Sequence, residues 1–580
     1  MKTLFRILLI ALILLLPAFA RETAKLTPAM QAKMARVTGD DNITAWIFFT
    51  DKGAQLSKRL SAVKTNLTEK ARERRLRNRP ADQLVDELDA PVYGEYLREV
   101  AGKVSRIRHK SRWLNAVSVE VRKSGVAALR ALTFVKKIDV VHSAKRQPLE
   151  YQEVTAPLQK SSSTFSFNYG GSETQEVQIN VPAMHDMGFD GSGVTVAMLD
   201  AGFNNLQHEA LDHLNILATW DFVNGDAVVE DEPGQMGSGN HGTYTLSTLA
   251  GFMEGQLIGP AFGAQFLLAK TENTDSELHV EEDNWVAAAE WADSLGADII
   301  SSSLGYLNFF DAGETQYTWE DMDGQTAIVT LGAEAAASRG ILVVNSAGNE
   351  GTPVPPRENT IIAPSDGAHV LAVGAVSSSG TIASFSSRGP SADGRIKPDV
   401  AAMGVQTFCA SPFNPTGYVT INGTSLSCPL AAGGAALVLQ ANPTWSNQQI
   451  IDALRNTASN AATPDNNLGW GIIDVHAAAT TVTGIADDSG NLPTQIELYP
   501  AFPNPFNPST TIRYFVPSQT DVSISVFNLL GQKVADLFRG QRNRGAYRLT
   551  WNAQDIPSGV YFIVLQAAQS RKVRKTILLK

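Results

Sequence analysis

The sequence predicts an α/β domain with a mainly parallel sheet, preceded by a small α+β segment and followed by an all-β sandwich. Three observations carry this. A chain of 580 residues is too long for one compact domain. Between residues 175 and 480, short apolar runs (VTVAML, FLLAK, ADIISSSLG, ILVVNSAGN, HVLAVGAV) alternate with helical patterns such as NWVAAAEWADSLG and GAEAAASRG, as in a sheet with crossover helices. Charge also changes sign along the chain. Residues 21–150 carry 27 Lys+Arg against 15 Asp+Glu, residues 151–492 carry 8 against 39, and residues 493–580 carry 11 against 4.

Composition excludes several function classes. With 43% hydrophobic and 18% charged residues the chain is not disordered throughout. Two cysteines, Cys409 and Cys428, rule out a cysteine-stapled scaffold and a four-thiolate zinc site, and leave one disulfide or two free thiols. The acidic middle section would repel a phosphate backbone, so no nucleic-acid partner is expected; the basic N-terminal segment is its electrostatic complement.

Taken in order, residues 1–20 begin with Lys2 and Arg6, run apolar from Ile7 to Leu16 and end in Ala18-Phe19-Ala20. That is a signal-peptide pattern, too short for a spanning anchor. Residues 21–170 form the basic segment. In it EKARERRLRNRP reads as a solvated helix face ended by Pro80, while WLNAVSVEV, GVAALRALTFV and KKIDVVHSA read as a small βαβ unit. A polar stretch from Ser161 to Gly171 is a natural place for a cut. The α/β domain spans 171–481, a polar linker 482–494, and alternating strands such as DVSISVFN and GVYFIVLQ fill 495–580.

Three segments of the α/β domain share a design, a polar residue where a buried element meets a Gly-containing turn. VTVAMLDAGF places Asp200 at a strand end, where a carboxylate can orient an imidazole. GNHGTYTLSTLAG places His241 at a helix start. NGTSLSCPLAAGG places Ser425 at the start of a long helix, whose dipole favours a developing oxyanion. Asp, His and Ser in this chain order fit one of the known triad orders and not the Ser-first order of α/β-hydrolases, and Ser425 also lacks their G-x-S-x-G setting.

LDAGF, NHGTY, NSAGNEG and NGTSLSCP together resemble the four signature blocks of the subtilisin-like serine proteases. The resemblance implies peptide-bond hydrolysis through an acyl-enzyme, with Asp200, His241 and Ser425 as triad and Asn349 as oxyanion-hole donor. It also implies that Ser303, Leu304 and Gly305 pair with substrate backbone as an edge strand. Protein or peptide substrates are implied; no cofactor is required for the chemistry, and structural calcium is allowed. Asp321 and Asp323 in WEDMDG are the calcium candidates, without a full loop pattern. Glu350 and Ile362 are both candidates for the pocket that selects substrate.

The sequence departs from the family at Tyr244-Thr245-Leu246-Ser247, where His-Val-Ala-Gly is common, at Met403, where proline is common, and at Leu426, where methionine is frequent. HEALDH imitates a zinc-protease motif, but His208 and His213 are five positions apart, about 140° around a helix. Gly191-Ser192-Gly193 precedes a strand, the reverse of a dinucleotide loop.

The segment at about 95–150 resembles this family's propeptide, a chaperone and inhibitor until it is removed. PNPFNP with GVYF and a basic tail resembles the sorting domain of type IX secretion substrates, which implies passage through the periplasm of a Gram-negative cell and engagement of outer-membrane secretion machinery. The expectation is a secreted or cell-surface, autoprocessed serine endopeptidase; the alternative is an inert adhesin on a protease fold.

Overall fold

The computed structural model describes residues 25–141, 143–144, 151–153, 165–273, 280–307, 317–481 and most of 496–580. The expected signal peptide and the 482–494 linker lie outside the described residues. The chain divides into two compact units, one up to Ala479 and one from Thr480.

The first unit opens with α1 (Pro28–Arg36), β1 (Asn42–Phe49), α2 (Leu56–Asn66), α3 (Glu69–Asn78), α4 (Gly94–Ala101), β2 (Arg106–Ser111), β3 (Ala116–Arg122), α5 (Val126–Arg130) and β4 (Val135–Val140). The four strands form one antiparallel sheet in the order β2-β3-β1-β4. The expected βαβ unit, β3-α5-β4, is present but split, because β1 lies between its strands. NITAWIFF is apolar at almost every position, and a strand buried on both faces belongs inside a sheet. Its Ile43, Ala45, Ile47 and Phe49 face the layer's own core. Trp46 and Phe48 point the other way, into a core shared with the α/β domain. The folded layer therefore begins well before residue 95.

After β4, β5 (Ser143–Ala144) and β6 (Tyr151–Glu153) continue the chain towards the α/β domain. That domain contributes β7 (Thr195–Asp200), β8 (Asn215–Asp221), α6 (Asn240–Ala250), β9 (Gln265–Lys270), β10 (Val280–Glu281), α7 (Glu282–Leu295), β11 (Ile299–Ser302), α8 (Ile328–Ser338), β12 (Leu342–Ser346), β13 (Val370–Val376), β14 (Val400–Met403), β15 (Thr407–Ala410), β16 (Tyr418–Ile421) and α9 (Thr424–Ala441). Seven strands form a wholly parallel sheet, β14-β13-β12-β11-β7-β9-β8. Successive side chains of β7 serve different cores. Val196 and Met198 pack with Leu430, Leu437 and other residues of α9, whereas Ala197 and Leu199 pack with Trp285 and Ala289 of α7. Cover on both faces explains the unbroken apolar runs. β5 pairs antiparallel with β10, and β6 with β16.

The arginine-rich α3 ends before Pro80 as expected, and Glu69, Arg72 and Glu73 are solvated, but its other side is not. Arg74 and Arg75 are fully buried against the C-terminal ends of α7 and α8. Arg74 pairs with Asp293 and donates to the carbonyls of Ala297 (2.6 Å) and Arg339 (3.1 Å). Arg75 bridges Asp89 and Asp293, both at 2.9 Å, and Arg77 pairs with Asp298. Arg112 adds a third guanidinium to Asp293 at 2.8 Å. Burial raises the Asp293 carboxyl, but these arginines outweigh it and hold the group below the usual carboxylate range. Beside them Arg108 pairs with Asp283 at 2.9 Å and His109 Nε2 meets Asn284 Oδ1 at 2.6 Å. The positive-on-negative complement expected from composition is thus a desolvated contact between named groups.

The second unit is the expected sandwich. β17 (Glu497–Leu498), β18 (Ser509–Val516), β19 (Thr520–Asn528), β20 (Lys533–Arg542), β21 (Gly545–Asn552), β22 (Gly559–Ala567) and β23 (Ser570–Leu578) form two antiparallel sheets, β17-β18-β21 and β20-β19-β22-β23. Ile512, Tyr514, Ile524, Trp551 and Ile563 lie in the core between them.

Candidate active site

Asp200 is the last residue of β7, a central strand, and is 1% exposed. Its Oδ1 accepts the Ala201 N–H at 2.7 Å and lies 2.5 Å from His241 Nδ1. His241, at the second position of α6, can come this close because Gly242 follows. A Cβ there would stand 2.0 Å from the Gly202 carbonyl oxygen, so any side chain would push α6 off the loop after β7. A carboxylate on Nδ1 fixes the imidazole tautomer and leaves Nε2 for proton transfer.

Ser425 is the second residue of α9, which runs through the core and packs against both the sheet and α6. Four residues on, Pro429 stands inside the helix and has no N–H to give the Ser425 carbonyl. Ser303 Oγ supplies the missing donor at 2.9 Å. Asn349, exposed in the turn after β12, accepts at Oδ1 from both the N–H and the hydroxyl of Thr424, each at 2.9 Å. It thereby caps the helix that carries Ser425, and its amide NH2 is the end left to donate. All four residues expected at the site come from β7, α6, α9 and the turn after β12, which meet at the C-terminal edge of the sheet.

The expectation for Ser303, Leu304 and Gly305 needs correction in one respect. β11, which they follow, is an inner strand between β7 and β12, so it is not a sheet edge; the three residues leave the sheet at its C-terminal end. Leu304 is buried, and its carbonyl accepts from Asn345 Nδ2 at 3.0 Å.

Thr245 was missed as a site residue. Its hydroxyl donates to Asp200 Oδ2 at 2.9 Å. The available signal was a hydroxyl one helical turn after His241, on the same face of the helix.

The two cysteines are free and buried. Burial pushes the Cys428 thiol up to about 12, where it is a poor nucleophile. Among the described residues no group of three His, Cys, Asp or Glu could hold a metal ion. Asp321 accepts from Thr318, and Asp323 from Gln325 and Thr326, so both carboxylates serve their own turns. His208 binds the Gly417 carbonyl at 2.8 Å.

Comparison with known proteins agrees with this geometry. Residues 191–471 match the subtilase family, residues 44–156 the Bacteroidota propeptide domain of peptidase family S8, and residues 500–579 the secretion system C-terminal sorting domain. Subtilisin E of Bacillus subtilis is 32% identical over 383 residues, 66% of this chain and 84% of its own. Subtilisin of Bacillus pumilus is 35% identical over 305 residues, 52% of this chain and 96% of its own. The alkaline protease of Alkalihalobacillus alcalophilus is 29% identical over 397 residues, covering 68% and 87%. The chain belongs to the subtilase family, as a serine endopeptidase with a propeptide domain and a sorting domain, secreted or at the cell surface of a member of the Bacteroidota.

Proposed function

We propose that the chain is a precursor whose Asp200, His241 and Ser425 act as a catalytic triad and first cut the chain's own propeptide free. The observation that carries this is the Asp200–His241 couple at 2.5 Å, on an α6 that packs against the helix starting at Thr424-Ser425. Ser425 Oγ attacks the substrate carbonyl while His241 Nε2 takes its proton. The tetrahedral oxyanion receives hydrogen bonds from the Asn349 amide and the Ser425 N–H. The C–N bond then breaks, His241 protonates the leaving amine, and water attacks the acyl-enzyme by the same route. Loss of such an amide donor costs about 100- to 1000-fold in turnover, a size measured in a subtilisin itself. Ser303–Gly305 bind substrate next to this centre.

The propeptide junction falls between β5, held on β10, and β6, held on β16, that is within residues 145–150. This cut moves the propeptide limit from the expected 170, and the expected site in Ser161–Gly171, back to about 150, and leaves residues 151–170 with the peptidase domain, while the expected limits of 481 and 495–580 are kept. Residues 495–580 direct the chain to outer-membrane secretion machinery, and calcium, where present, has a structural role only.

A fluorophosphonate reagent tests the nucleophile. Its adduct is expected on Ser425 of the processed enzyme and is expected to be lost in His241→Ala; labelling elsewhere, or none in folded enzyme, contradicts the reading.

A further inference from the structure

One turn of the sorting domain holds two leucines in water. β19 passes into β20 through Leu529-Leu530-Gly531-Gln532, and Asn528 builds the turn. Its Oδ1 accepts from the N–H groups of Leu530 and Gln532, each at 3.0 Å, and its Nδ2 donates to Gln532 Oε1 at 2.9 Å. Gly531, at φ 76°, donates its N–H to the Asn528 carbonyl at 3.0 Å. Leu529 and Leu530 are thus fixed at the tip, 69% and 82% exposed.

The strand registers show what else lies at this end. Phe527 pairs with Lys533 of β20 on one side and Phe562 of β22 on the other, and Phe562 pairs with Lys575 of β23. Lys533, Phe527, Phe562 and Lys575 therefore make one row across the sheet. Val526, Tyr561 and Ile563, their neighbours along the strands, lie in the sandwich core, so by alternation the row is on the outward face. Lys533 meets Asp536 at 2.6 Å, but both are half exposed and the pair is screened by solvent. Nearer the tip, Val560 pairs with Ile577 on the same outward face. Leu579, 54% exposed, follows β23 at this end, where its N–H donates to the carbonyl of Phe506 from the PNPFNP run at 3.0 Å. The far half of the face is polar. There Ser523 pairs with Arg539 and Gln566, and Gln566 with Arg571.

We propose that this end of the sorting domain is a contact for an anionic lipid surface. Leu529 and Leu530 enter the apolar layer, Phe527 and Phe562 sit at headgroup level, and Lys533 and Lys575 reach lipid phosphates on either side. An exposed apolar patch marks an interaction site, and this one converges on a protruding tip, which a bilayer boundary receives at shallow depth without a shaped pocket. Aromatic rings between lysines suit the interface, where ammonium groups stay in the headgroup layer. With 11 Lys+Arg against 4 Asp+Glu in residues 493–580, the unit favours anionic lipid. The proposal is independent of the reading of Ser425.

The test takes residues 21–580 carrying Ser425→Ala, without the apolar leader, and vesicles of phosphatidylcholine alone or mixed with phosphatidylglycerol. The chain is expected to sediment with the mixed vesicles, less so as salt rises, and little with phosphatidylcholine alone. Leu529→Ser with Leu530→Ser is expected to weaken that binding by about tenfold or more, with the thermal unfolding of the domain unchanged. Leu530→Ser alone, at the more exposed position, is expected to weaken it by about threefold, which serves should the double variant fail to fold. Lys533→Gln with Lys575→Gln is expected to weaken it by about tenfold and to remove most of the salt dependence. Ser523→Gln, on the polar half, is expected to change nothing. No sedimentation of the folded chain with mixed vesicles, or equal sedimentation of the leucine variants, overturns the proposal. Export blocked in cells by the leucine variants of a chain that binds no vesicles assigns the tip to a protein partner and equally overturns it.

Discussion

Replacing Asp293 by Asn should loosen the propeptide's hold on the α/β domain by orders of magnitude. Asp293 receives Arg74, Arg75 and Arg112 from the propeptide side, and its side chain is 2% exposed. Arg75 would keep Asp89 at 2.9 Å, but Arg74 would face only neutral acceptors, the carbonyls of Ala297 and Arg339 and an amide oxygen, and would sit fully buried with its charge unmatched. Breaking a buried pair from one side costs about 3–5 kcal/mol, and each 1.4 kcal/mol is tenfold, so the inhibition constant should rise by about 100- to 4000-fold. In the freed enzyme the same carboxylate loses its three arginine partners, so substitution there should cost little. The assay is inhibition of processed wild-type and Asp293→Asn enzymes by separately added propeptide, followed by association and dissociation rates in rising salt. Salt should slow association, which the summed charges steer, whereas the substitution should mainly speed dissociation, because desolvated pairs are weakly screened. A change below about threefold would show that the buried arginines are spectators and that the apolar contacts of Trp46, Phe48 and Trp113 carry the interface.

Other outcomes follow from the same structure. Thr245→Val keeps the shape but removes the donor on Asp200 Oδ2; a carboxylate with one bond fewer is more basic and favours imidazolium, so the acid limb of the kcat/KM–pH profile should move up, and an unchanged limb would make Thr245 a packing residue only. Burial lowers the His109 pKa below its usual value, outweighing the opposing pull of Asp283, so the complex prefers neutral imidazole; inhibition should weaken as pH falls below about 6.5, at most tenfold per unit, and His109→Gln should flatten that slope. Asp283, held low by Arg108 against its own desolvation, stays charged through this window. Leu426 follows the nucleophile and is fully buried, so low-millimolar peroxide should leave activity intact, and rapid loss would point to another oxidisable group at the site.

The chemistry was legible in the sequence where it depends on local pattern. A buried apolar run ending in Asp200, and helix starts at His241 and Ser425, can be read from a few neighbouring residues each. What depends on distant partners was not. Arg74 and Arg75 have the spacing of a solvated face, and only Asp293, more than two hundred positions away, makes them core residues. β1 lay unrecognised because it enters the sheet between two strands that are closer to each other in the chain. Ser303 acquires its role from a proline, Pro429, that removes one donor from a helix formed much later in the sequence. The hydrogen bonds of Asp321 and Asp323 lie within their own turns, whereas the Gly417 carbonyl that holds His208 is about two hundred positions away and could not be read from its neighbours.

The most direct test of the central claim is the intact mass of the precursor, residues 21–492, expressed beside its Ser425→Ala variant. The account predicts that wild type separates at a junction within residues 145–150 while the variant stays whole and folded. Both proteins remaining whole, or both being cut at the same place, would contradict the assignment of Ser425 as the nucleophile that frees its own propeptide.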